Sequence, residues 1–125
     1  MQNILVALDD PALRDQVKTA LKLFPGIRGI PVQRNRLISL VAGGLVPVAV
    51  ILDYQRGKSG NDPYIEAIRR ANADIEVLAC AEKPERSQFS KAKRELDIFS
   101  FIPLPLDPID LVRRLHRLRE ALSPA

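Results

Sequence analysis

The chain has 125 residues, 46% of them hydrophobic and 27% charged, with a net charge of +4 from 19 Lys and Arg against 15 Asp and Glu. That length suits one domain spanning residues 1–125, no apolar run reaches the ~20 residues that cross a bilayer, and the start lacks the charged-then-apolar pattern of a signal peptide. A single cysteine, Cys80, excludes an internal disulfide framework and agrees with a cytoplasmic protein, while the interspersed charges favour solvated helix faces over nucleic-acid binding.

In chain order, NILVAL (residues 3–8) is continuous and apolar enough for a buried strand. PALRDQVKTALKLF follows with Leu13, Val17, Ala20, Leu21 and Phe24 at helical spacing, and Pro25-Gly26 should stop that helix. IRGIPVQR reads as a weaker strand, placed at a sheet edge by Pro31. NRLISLVAGGL reads as a short helix capped by Asn35 and ended near Gly43-Gly44. PVAVILD is another buried strand, and NDPYIEAIRRANA a helix with Asp62 as cap and Pro63 first. DIEVLAC is the fourth strand, KPERSQFSKAKRELD a polar helix, IFSFIP the fifth strand and DPIDLVRRLHRLREAL a final helix capped by Asp107. Five strand–helix units in a row predict an α/β fold, (βα)5, with a doubly wound parallel five-stranded sheet. Ligands of such sheets gather at the carboxyl ends of the strands.

Those ends carry Asp9 and Asp10 on the first strand, Asp53 on the third, Cys80-Ala81 on the fourth and Pro103-Leu104-Pro105 on the fifth. Asp9, Asp10 and Asp53 together could hold Mg²⁺, which prefers oxygen ligands, and one of them could accept a phosphoryl group.

With ILVALDDP, VILD, GKSG, EVLACA and FIPLPLDPIDL in this order, the chain resembles the receiver domain of bacterial two-component response regulators over nearly its whole length. The resemblance implies a flavodoxin-like receiver fold. It also implies an acidic pair for Mg²⁺, an acceptor aspartate, and a hydroxyl and a lysine that bind the phosphoryl oxygens. Asp53 matches the acceptor. Cys80 falls on the hydroxyl position, where a thiol is a weaker donor. Leu104, followed by the expected Pro105, falls on the lysine, and Phe101 on the switch aromatic. Matching LDDP without a gap puts Leu8 and Asp9 on the acidic pair; a one-residue shift puts Asp9 and Asp10 there, and both registers stay open.

Two lost switch groups imply an atypical, or pseudo-, receiver: a non-enzymatic protein-interaction module that binds Mg²⁺ weakly. The alternative is a working Mg²⁺-dependent receiver, a phosphoprotein modified on Asp53 by a histidine kinase. Asp53 as an inherited loop-holding residue is weighed equally with Asp53 as acceptor. Cys80 reads as a small buried residue more readily than as a reactive thiol, since no histidine lies near it in sequence. GKSG is no P-loop, because Leu52 stands where the first glycine belongs. His116 reads as a solvated residue. Leu111, Leu115, Leu118 and Leu122 form a core stripe on the last helix, beside which Arg113, Arg114, Arg117 and Arg119 offer a surface for a histidine kinase, an output protein or a second copy of the chain.

Overall fold

A computed structural model describes residues 2–44, 46–54, 62–82 and 86–122. The elements run β1 (Gln2–Ala7), α1 (Pro11–Leu21), β2 (Ile27–Pro31), a 3-10 turn (Arg34–Arg36), α2 (Leu37–Ala42), β3 (Ala49–Asp53), α3 (Asp62–Ala71), β4 (Glu76–Glu82), α4 (Arg86–Leu96), β5 (Ser100–Leu104) and α5 (Pro108–Leu122). All strand pairings are parallel, in the order β2-β1-β3-β4-β5, so the expected (βα)5 sheet is present and β2 lies at its edge.

The three inner strands are buried on both faces, which is why their sequences read as apolar runs without alternation. One face, carrying Ile4, Val6, Ile51, Leu78 and Ile102, is covered by Leu13, Val17 and Leu21 of α1 and Leu111, Leu115 and Leu118 of α5. The other, carrying Leu5, Val50, Leu52, Val77 and Ala79, is covered by Leu37 and Val41 of α2, Ile65 and Ile68 of α3 and Leu96 of α4. Each fully buried Leu or Ile contributes ~1.5–3 kcal/mol relative to exposure, so this two-sided burial is the main stabilising term. The leucine stripe of the last helix is therefore core, with Leu122 partly buried at its end.

Several boundaries differ from the sequence pattern. Helix α1 stops at Leu21, and residues 22–26 form a turn closed by Gly26 at φ 84°. Asn35 is not a helix cap: it lies inside the 3-10 turn, and Arg36 holds the position before α2 with no side-chain hydrogen bond to the helix. The tighter turn consumes the residues that a direct cap would have used. Asp107 does cap α5, accepting the Ile109 N–H at 3.0 Å. The side chains of Asp62 and Pro63, and the GKSG segment, lie outside the described residues.

Candidate functional site

Strand β3 lies between β1 and β4, and its last residue, Asp53, reaches the carboxyl edge of the sheet beside the β1–α1 loop. There the Asp9 backbone N–H donates to Asp53 Oδ2 at 2.8 Å. Asp53 is half-buried, and loss of hydration raises its pKa above the ordinary carboxylate value. The Asp9 N–H and, more weakly, the Arg34 charge oppose that rise, and the Asp9 and Asp10 charges reinforce it.

The residues around Asp53 diverge. Leu8 is 2% exposed and packs into the apolar cluster under α1 and α5. Asp10 faces outward as the N-cap of α1, its Oδ1 accepting the Ala12 N–H at 2.9 Å. Asp9 is 70% exposed and lies 3.7 Å from the Arg34 guanidinium. Among the described residues no group of three or more His, Cys, Asp or Glu is gathered closely enough to hold a metal ion. The donor set thus fits Mg²⁺ poorly: Asp10 is engaged at a helix end, Leu8 supplies no oxygen, and Asp9 already faces a cation.

The switch positions lie on β4 and β5. Cys80 pairs in register with Asp53 and is buried, and its thiol is pushed up to about 12, first by desolvation and then by the Asp53 charge. It is a neutral thiol at the end of a strand. Phe101 is buried and meets Tyr54 edge-to-face, with ring centroids 5.3 Å apart. Leu104 packs against the same apolar cluster that contains Leu8, and the Leu104–Pro105 peptide bond is cis.

On α5 the four arginines separate. Arg114 turns inward, its Nε donating to Asp110 Oδ2 at 2.7 Å and its Nη1 to Ser100 Oγ at 2.8 Å, and so ties α5 to β5. Arg113, Arg117 and Arg119 are exposed. His116 is exposed as expected and lies 2.9 Å from Glu120 one turn on.

Two arginines escaped the sequence reading. Arg34 reaches Asp9 from the β2–α2 connection and lies 5.9 Å from the centre of the Tyr64 ring. Its place in the sequence, 25 residues from Asp9, gives no local signal of this approach. Arg69 of α3 donates to the carbonyls of Ala73, Ile75, Leu96 and Asp97, fastening the α3–β4 and α4–β5 connections together. As a basic residue near the end of an amphipathic helix it reads as part of a solvated face.

No protein-family model and no curated protein matches the chain. Solved structures do match its fold. The isolated REC domain of RcsB from Salmonella enterica serovar Typhimurium is 20% identical, with 95% of this chain and 88% of that one covered at a TM-score of 0.78. A CheY-like response regulator receiver domain protein from Methanospirillum hungatei JF-1 is 16% identical over 96% and 95%, at 0.76. A protein named for pilus assembly (cpaE) from Burkholderia thailandensis E264 is 17% identical over 96% and 99%, at 0.77. The chain has the flavodoxin-like fold of response-regulator receiver domains.

Proposed function

We propose that this receiver-fold chain is a non-enzymatic protein-interaction module of bacterial two-component-type signalling, working in the cytoplasm with its phosphorylation switch disabled. The observation that carries the reading is the fate of Leu8 and Leu104. Both pack in one apolar cluster; Leu104 stands where the resemblance calls for a lysine, and Leu8, in the ungapped register, where it calls for an acid. With Leu104 in the lysine's place, a phosphoryl group on Asp53 would lack that charge-assisted partner for its oxygens. A buried neutral Cys80 gives no strong hydroxyl donor in its stead. Partner binding then rests on surfaces that need no phosphate, among them the exposed face of α5 with Arg113, Arg117 and Arg119.

The test is titration with Mg²⁺ and beryllofluoride, followed by NMR at Asp53 and by sedimentation. We expect weak Mg²⁺ shifts near Asp9 and Asp53, no stoichiometric beryllofluoride complex and no change of mass. Saturation at one equivalent accompanied by dimerisation would establish a working phosphoacceptor instead.

A further inference from the structure

We propose that the cleft between the carboxyl ends of β1 and β2 and helix α3 binds a small organic phosphate of mononucleotide size, its anionic group held by Arg14 and Arg34. This cleft adjoins Asp53, because Asp9 lines it and donates its N–H to that carboxylate, but the proposal does not depend on the signalling role above. The cleft measures about 600 Å³ and is lined by Asp9, Arg14, Gln33, Arg34, Asn35 and Tyr64 over an apolar floor that includes Val32. It has the size of a small-molecule site and lies at the carboxyl ends of the strands, next to the β1–β3 switch point of the sheet.

Its charges are incompletely matched. Arg14 is half-buried, and its guanidinium has no hydrogen bond or ion pair among the described residues. The Arg34 side chain is 32% exposed, and its carboxylate neighbour, Asp9, is 3.7 Å away, beyond hydrogen-bond range. Among the described residues, two guanidinium groups therefore line one cleft against a single, solvated carboxylate. Each presents planar N–H donors whose spacing matches phosphate oxygens. The Tyr64 ring, already 5.9 Å from Arg34, supplies a flat surface against which a base can stack.

The experiment follows arginine Nε–H and Tyr64 ring signals by NMR while the whole chain is titrated separately with AMP, adenosine and inorganic phosphate. AMP is expected to saturate below about 1 mM, moving Arg14, Arg34 and Tyr64 together. Adenosine should cause no saturable shift, and inorganic phosphate should bind at least tenfold more weakly than AMP. Arg14→Gln and Arg34→Gln should each weaken AMP at least tenfold, while Arg117→Gln on α5 leaves it unchanged. Should one cleft variant fail to fold, the other decides. The proposal is overturned if AMP gives no saturable shift up to ~10 mM, or if Arg117→Gln weakens it equally. Phosphate binding as tightly as AMP also overturns it, because the ligand would then be a free oxyanion with no role for Tyr64.

Discussion

The Asp9 backbone N–H donates to Asp53 Oδ2 at 2.8 Å, so the main chain of the β1–α1 loop holds the acid at the end of β3. A backbone donor stabilises the carboxylate without neutralising it. Desolvation remains the larger effect, and the Asp53 pKa is raised.

A raised pKa in the folded state means that folding favours the protonated acid. The stability this contributes is complete below the unfolded carboxylate value and is lost as pH rises through the folded one. At neutral pH the ionised Asp53 is therefore a burden. Asp53→Asn keeps an oxygen for the Asp9 N–H and removes the buried charge. Urea denaturation should find this variant more stable than the parent at pH 7, with the gap closing as pH falls below the carboxylate range. A variant less stable at pH 7 would mean that the ionised form is needed to hold the β1–α1 loop.

Cys80 should behave as a core residue. With its pKa near 12 and its side chain buried, native protein at pH 8 should react with a thiol-specific disulfide reagent only through unfolding. Cys80→Ala should cost about 1 kcal/mol, and Cys80→Ser about 1–3 kcal/mol, because a hydroxyl is harder to bury than a thiol. Labelling rates that do not slow with added stabilising osmolyte would count against this.

The Leu8 and Leu104 substitutions are expected to be coupled. Leu8→Asp places a carboxylate in an apolar cluster and should cost roughly 3 kcal/mol or more. Leu104→Lys, at a half-buried position, should cost about 1 kcal/mol. If the two new side chains meet across the ends of β3 and β4, which separate their strands, a double-mutant cycle by chemical denaturation should return at least ~1 kcal/mol of favourable coupling. Additive losses would show that the two positions do not face each other.

Arg69 carries more structural weight than its surface position suggests. Arg69→Ala leaves carbonyls of two connections without their donor and should destabilise by ~2–3 kcal/mol. Arg69→Lys should recover less than half, since one ammonium cannot span four carbonyls. Hydrogen exchange should quicken at Ile75 and Ile98 before the rest of the sheet. An Arg69→Ala loss below ~0.5 kcal/mol would mean that water replaces the guanidinium at no cost.

Much of the fold could be read in the sequence, because burial on both faces of a parallel strand leaves unbroken apolar runs such as VAVILD and EVLAC. The same property hid the site's register. Without alternation, nothing in ILVALDD tells whether Leu8 or Asp10 turns inward; the structure puts Leu8 in the core and Asp10 at the start of α1. Asp107 could be identified as a cap because its partner is two residues away. Arg34, Arg69 and Arg114 could not be placed, since an arginine's reach is long and its partners here are set by tertiary packing. Arg114 looked like part of a basic surface, yet Asp110 and Ser100 hold it inward.

The edge strands limit how this protein can be recognised. Strand β2 carries Pro31 and the exposed Arg28, and β5 carries Pro103, so each open border of the sheet includes a residue with no N–H to offer. Zippering of an extended peptide, or of another sheet, along either border is interrupted. The sheet is thus guarded against edge-to-edge aggregation, and partners are directed to the helical faces and the loops at the strand ends.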